Sequence, residues 1–423
     1  MLDRLKAYRR WALDLLLMPL AILMPRNPKK IIFGAWDGKA FQCNPKYLML
    51  YFAKRGGCEC YWFGEELLRK EVEAIDGVRF VRKGSLLSYY HALTAGFYAS
   101  NVNWKDDVLW VPTCGKVTIL YTSHGYPDKR MGERQFGGNG AVEKKVCGSY
   151  LRIRLRKLLE RLERFLYPNE AWSSASSPQG DELRVLNMPW RLSMDRMLHA
   201  GTPRADYVIA NAKNDELKQQ LRKKIADVLD IPLNRRWIIF VPTWRHDPKY
   251  LYSFTTSTMS AKWQDFFAKN GIILIEKQHP KTLAAGFVSG GNNGSICVVG
   301  PTEASQIDTQ ELLLASDVLI TDYSSIYYDF YLMNRPCVHF VYDWDHAYNK
   351  DFGFDFDLRE YGGGPFVYEE EELFKYLAMP SEELLKLRNE KTREQLSYET
   401  GHCCEAYYNL FQRMSRNRGF FAQ

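Results

Sequence analysis

The chain has 423 residues, of which 46% are hydrophobic and 25% charged, with nine cysteines and a formal net charge of +7. That length calls for two or three domains at about 150 residues each, and the balance is globular rather than disordered, fibrous or polytopic. An odd cysteine count without paired C-x-x-C spacing reads as reduced thiols, neither a zinc knuckle nor a disulfide framework.

Residues 1–30 carry seven basic side chains against Asp3 and Asp14, and residues 144–166 carry eight against Glu160 and Glu163. The remainder of the chain is therefore slightly acidic, and such clustering predicts an anionic surface as partner. Between Arg9–Arg10 and Arg26 lies WALDLLLMPLAILMP (11–25). It is short of the roughly 20 residues that cross a bilayer, and Asp14 and Pro19 interrupt it. No small-residue cleavage site follows, which argues against a signal peptide. Two readings stand: a helix lying in the membrane interface, or one packed on the protein's own core.

After residue 28, short apolar runs alternate with longer helical stretches. The first series is KKIIFGAW (29–36), CYWFG (60–64), VRFVRKG (78–84), GFYASN (96–101) and KVTILYTSHG (116–125). YLRIRLRKLLERLERFLY (150–167) places leucines at helical spacing with basic residues between them, a second candidate for a membrane-facing helix. A second strand series follows: ADYVIA (205–210), RRWIIFVPTW (235–244), GIILIEKQHP (271–280), ICVVG (296–300), DVLITD (317–322) and CVHFVYD (337–343). Near-continuous apolar strands separated by helices predict parallel sheets covered on both faces. The expected architecture is α/β: two doubly wound domains, 29–200 and 201–400, facing a cleft. They are preceded by a basic segment over 1–28 and followed by a tail over 401–423. No G-x-G-x-x-G is present, so nicotinamide and flavin have no support.

In such sheets ligands bind beyond the carboxyl ends of the strands. Ser123 and His124, then Gly125 and Pro127, end one run; Thr243, Arg245 and His246 end another. Lys277, His279 and Pro280 end a third, and Asp322 with Ser324 and Ser325 a fourth. His124 has the chemistry of a general base, and His279 that of a phosphoryl-oxygen donor or general acid. Arg245 reads as a fork for a phosphate or as a domain-interface ion pair. Ser324 and Ser325 read as part of an anion site at a helix start or simply as its caps. Asp322 reads as a ribose ligand or as a brace of its own turn. No metal-ligand spacing appears, so no tightly bound metal or cofactor is expected.

In this order, SHGYPDK (123–129), AGTPRADYV (200–208), VPTWR (241–245), KQHP (277–280) and LLLASDVLITDYSSIYYDF (312–330) resemble the CDP-glycerol glycerophosphotransferase family. NRPCVHFVYDWDHAY (334–348) and DFDLREYGGGPFVY (355–368) continue the likeness, which spans roughly residues 30–400. The resemblance implies a GT-B-like fold working at the cytoplasmic face of the membrane in teichoic-acid or capsular polymer synthesis. It implies transfer of glycerol phosphate from CDP-glycerol to a hydroxyl on a lipid-linked or polymer acceptor, releasing CMP, with no nucleic-acid partner. Neighbouring readings are CDP-ribitol as donor, or a nucleotide-sugar glycosyltransferase. Carried over by position, His124 is the base, His279 and Arg245 are donor-phosphate ligands, and Ser324 and Ser325 are pyrophosphate ligands. Thr243 and Asp322 belong to the same donor site. Ser123, Gly125, Tyr126 and Asp128 form an acceptor-side loop. Tyr126 and Asp128 replace a small polar and an apolar residue of the family's HGTPLK, in a loop that the resemblance places close to the acceptor, and the acceptor's identity stays open.

Overall fold

The computed structural model describes residues 2–130, 161–162, 165–167, 170–188, 192–245, 247–279, 282, 286, 290–346 and 353–420. The first half forms a six-stranded parallel sheet: β1 (Asn27–Phe33), β2 (Glu59–Gly64), β3 (Val78–Arg82), β4 (Ala95–Ser100), β5 (Thr118–Tyr121) and β6 (Glu170–Ser173). Their order is β3-β2-β1-β4-β5-β6. The second half holds β7 (Arg236–Val241), β8 (Ile272–Glu276), β9 (Gly291–Asn293), β10 (Ile296–Val298), β11 (Val318–Thr321), β12 (Cys337–Phe340) and β13 (Phe366–Val367). They run β13-β12-β11-β7-β8-β10-β9, parallel except for the β9–β10 hairpin. Setting the hairpin strand aside, both sheets repeat the doubly wound order 3-2-1-4-5-6, with the chain reversing direction beside β1 and beside β7.

Alternation along the strands explains their apolar continuity. Ile31 and Phe33 enter one core cluster and Ile32 another, while Trp237 and Ile239 oppose Ile238 and Phe240. Over these positions β1 and β7 are buried on both faces, so no polar residue interrupts the run.

Three expectations change. ADYVIA lies in the helix Pro203–Asn211, not a strand. Pro203 fixes the first helical φ, and Ala205 and Val208, three residues apart, share the buried face. β6, β9 and β13 are not among the expected strands, because β6 buries only alternate residues, β9 is the exposed apolar-free GNN and β13 has two residues. Within the expected tail, the helix Cys403–Phe420 returns to the first half, where Tyr407 and Phe411 join Phe33, Phe52 and Phe97 in its core.

The N-terminal helix Leu2–Leu23 packs on the protein's own core along one side. Ala21 is buried in the first-half core, and Asp14, at 2% exposure, accepts a hydrogen bond from the Tyr167 hydroxyl. The residue that breaks the apolar run is thus its anchor. Elsewhere on the helix, Leu16 (74%) and Leu23 (78%) are exposed together with Leu15, Leu20 and Ile22. No helix among the described residues is long and apolar enough to cross a membrane. Most of the basic segment 144–166 lies outside the described residues.

Candidate active site

The loop after β5 is gripped carbonyl by carbonyl. Asn44, on the helix Cys43–Arg55, donates from Nδ2 to the carbonyls of Thr122 (3.0 Å) and Ser123 (2.8 Å). Arg204 Nη1 donates to the His124 carbonyl at 2.6 Å, and Arg184 Nη2 to that of Gly125 at 3.0 Å. Ser123 takes a left-handed φ of 57°, a conformation L-residues adopt at a cost and keep only where the surroundings over-determine it. The imidazole of His124 is therefore presented by a rigid backbone. Its Nδ1 has no hydrogen-bond partner among the described residues. Burial, with Arg204, Arg184 and Lys129 nearby, pushes its pKa down to about 4 against the pull of the Asn101 carbonyl. At neutral pH it is an uncharged proton acceptor.

Arg204 also spans the two halves. Its guanidinium pairs with Asp329, on the helix Ile326–Leu332, at 3.1 Å (Nε–Oδ1) and 2.9 Å (Nη2–Oδ2). One side chain thus fixes both His124 and the helix that follows Ser324 and Ser325. Ser325 makes no capping bond with its side chain. A Cβ placed on Gly125 would lie 2.5 Å from Ser325 Oγ, so the loop and the serine meet across the cleft. Gly125→Ala is expected to displace that hydroxyl and lower kcat/KM about tenfold, since overpacking a fixed contact costs ~1–3 kcal/mol. Ser325→Ala leaves the new methyl in ordinary contact with Cβ at 3.7 Å, so a double-mutant cycle on kcat/KM should be strongly non-additive.

In the second half, Asp322 joins the loops after β7 and β11. It accepts from the Thr243 backbone N–H at 2.8 Å and the Ser324 N–H at 3.2 Å, and pairs with Arg245 Nη2 at 2.7 Å. Although burial opposes it, Arg245 and Lys129 hold this carboxyl below the usual range. Arg245 itself is fully buried, bound to Asp343 at 2.6 and 3.0 Å and to the Thr243 carbonyl at 2.7 Å. Of the two sequence readings the ion pair is the nearer, but it lies within the second half rather than at the domain interface, with the fork turned onto the carboxylates of Asp322 and Asp343. Asp322 is likewise the brace of its turn. Thr243 Oγ1 instead receives Lys129 Nζ at 3.2 Å from the first-half loop, bringing a half-buried ammonium across the cleft.

Tyr126 and Asp128 depart from their expected place. Tyr126 is 7% exposed, packed on Tyr328 at 4.6 Å between ring centroids, with its hydroxyl held by Ser177 and Gln395. Asp128 is 1% exposed, and burial pushes its carboxyl up to about 6. Both substitutions lie in the packing between the halves rather than on an open acceptor surface.

The two histidines approach one aromatic ring. Trp36, just past β1, lies 5.3 Å from the His124 ring and 6.4 Å from that of His279, centroid to centroid. The structure thus brings together His124, His279, Gly125 and Ser325. It adds Trp36, Asn44, Lys129, Arg184 and Arg204, which sequence reasoning did not assign. Trp36 stands at a strand end and so carried a usable signal. Arg204 and Asn44 act through backbone carbonyls about 80 residues away, for which the sequence holds no signal. His246 and Pro280 lie outside the described residues. Among the described residues no three His, Cys, Asp or Glu side chains gather as a metal site.

Two Rossmann-type sheets with their polar strand ends turned to one cleft define a GT-B-like transferase. The chain belongs to the CDP-glycerol:poly(glycerophosphate) glycerophosphotransferase family, whose profile it matches over residues 16–410. It is 26% identical over 368 residues to a teichoic acid poly(glycerol phosphate) polymerase of Bacillus spizizenii, covering 84% of each chain. A polymerase of the same description from Bacillus subtilis is 26% identical over 375 residues, 88% of this chain and 46% of that one. The fold is similar to the solved wall teichoic acid polymerase TagF, with a TM-score of 0.70 and 22% identity over 93% of this chain and 90% of that chain. The protein is accordingly a transferase of the glycerophosphotransferase class, and its GT-B-like architecture is the one the sequence predicted.

Proposed function

We propose that the protein transfers glycerol phosphate from CDP-glycerol to a hydroxyl of a lipid-linked or polymer acceptor in teichoic-acid-like synthesis. The observation that carries this reading is the meeting of His124 and His279, one from each half, beside a single ring in the cleft. His124 accepts the proton of the attacking hydroxyl as its oxygen bonds to the β-phosphorus. The bond from that phosphorus to the bridging oxygen breaks, and CMP leaves with the electron pair. His279, Ser324, Ser325 and Lys129 offset the charge on the transferring and leaving phosphates. Asp322, Arg245 and Thr243 hold the second-half loops in the geometry this needs.

The test is CMP release from CDP-glycerol, with CDP-ribitol and a nucleotide sugar in parallel, in the presence of membranes from the source organism. Release from CDP-glycerol alone supports the reading. Release only from CDP-ribitol keeps the chemistry and changes the substrate. Release from neither donor overturns it.

The exposed leucines of the N-terminal helix support a peripheral site on the cytoplasmic membrane face. Leu16→Glu with Leu23→Glu should lower binding to phosphatidylglycerol vesicles about tenfold or more in a sedimentation assay, because two inserted leucines contribute ~1.5–3 kcal/mol each. These positions are exposed, so the melting temperature should hold. Equal binding by the variant would place the anchor elsewhere.

A further inference from the structure

Trp36 stands on a turn that the fold holds against its own preference. It and Asp37 are consecutive non-glycine residues with left-handed φ of 50° and 60°. The Trp36 N–H donates to Asn101 Oδ1 at 3.3 Å and the Asp37 N–H to Asp107 Oδ1 at 3.1 Å. The other oxygen of Asp107 accepts the backbone N–H groups of Asn101, Val102 and Asn103 at 2.8–3.1 Å, so one carboxylate ties the ends of β1 and β4 together. At Gly34 a Cβ would meet the Asp107 carbonyl at 2.1 Å, which leaves the turn no room to relax. Lys83 Nζ closes it by donating to the Asp37 carbonyl at 2.9 Å.

This turn occupies the point where the strand order of the first sheet reverses, the place where doubly wound sheets bind ligands. What it presents there is an indole, half-buried and uncharged, beside the rings of His124 and His279. The ring belongs to the same half as His124 and lies nearer to it than to His279. A hydroxyl in reach of His124 has its own carbon skeleton beside that ring. An aromatic face recognises the C–H surface of a polyol or sugar, and adds nothing to a phosphate.

We infer that Trp36 is a specificity-determining residue, the platform on which the C–H face of the acceptor's terminal polyol or sugar unit rests while His124 takes its proton. The inference rests on the transfer reaction proposed above and adds the acceptor subsite to it. Donor recognition falls to the second half, and Trp36 has no part in it.

The experiment measures CMP release by wild type, Trp36→Phe and Trp36→Ala. The acceptor, a short-chain lipid-linked saccharide ending in glycerol phosphate, and CDP-glycerol are varied separately. Trp36→Ala should raise the KM for the acceptor about tenfold and Trp36→Phe about threefold, the loss of most and of part of one aromatic contact. The KM for CDP-glycerol should shift less than twofold in both. An unchanged acceptor KM, or a donor KM that rises by the same factor, overturns the inference. If Trp36→Ala melts early, Trp36→Phe carries the test alone. Wild type that releases no CMP from CDP-glycerol would sink the transfer reaction itself, an outcome distinct from either.

Discussion

Replacing His124 by alanine lowers CMP release about a thousandfold, the usual scale for removing a positioned proton acceptor, with little loss of stability. Both halves of that expectation follow from the site. The backbone of the loop is held by Asn44, Arg204 and Arg184 through carbonyls, whatever side chain residue 124 carries. The imidazole Nδ1 has no hydrogen-bond partner among the described residues, so truncation costs little beyond the ring's hydrogen bond with the Asn101 backbone. Thermal melting of the variant should remain within about 1 kcal/mol of wild type. A His124→Ala enzyme keeping a tenth of its activity would remove the base assignment.

The same residue sets the pH profile. Burial lowers its pKa to about 4, so the neutral, proton-accepting form is present above that value and is lost as pH falls through it. The acid limb of kcat/KM reports the free enzyme, and it should therefore fall well below the 6.5 of an ordinary histidine. Between pH 7 and 5.5 activity should stay nearly level, where a base of ordinary pKa would lose roughly nine-tenths of its reactive form. An acid limb centred near 6.5 would show that His124 is not the titrating base, or that its burial is relieved before catalysis.

Much of this site was readable because parallel sheets put chemistry at strand ends. KVTILYTSHG and DVLITDYSS announce an apolar strand and then its polar terminus, and both strands lie where those runs are. What the sequence did not disclose are second partners. Arg245 follows an apolar strand as a phosphate fork would, yet Asp343, 98 residues on, occupies it. Tyr126 and Asp128 look like acceptor contacts because they sit in a functional motif, while Tyr126 packs among Tyr328, Ser177 and Gln395 and Asp128 is buried. ADYVIA has the residues of a strand, and only the neighbouring proline and the periodicity of its buried face mark it as a helix. For Arg245 and Tyr126, local pattern gave the position along the chain, and a contact distant in sequence decided the role.

Arg204 gives the second large effect, and it separates stability from catalysis. Arg204→Met removes the cation from Asp329, a carboxylate only 3% exposed, and leaves the His124 carbonyl without its 2.6 Å donor. Breaking a buried pair from one side costs about 3–5 kcal/mol, so this variant should melt far below wild type. Pairing it with Asp329→Leu removes the stranded charge, and apolar replacement of both partners is often neutral for stability. The double variant should thus recover most of the lost melting temperature. Its CMP release should stay at least about a hundredfold down, because a mispositioned base costs that much even when present. Arg204→Lys offers a third point: a single ammonium lacks the planar fork that reaches both Asp329 oxygens and the carbonyl together. It should fold and retain intermediate activity. If stability and activity recovered in step in the double variant, Arg204 would be a packing residue only. If stability returns while activity does not, the guanidinium is the part that aims His124, and the link between the halves runs through one side chain.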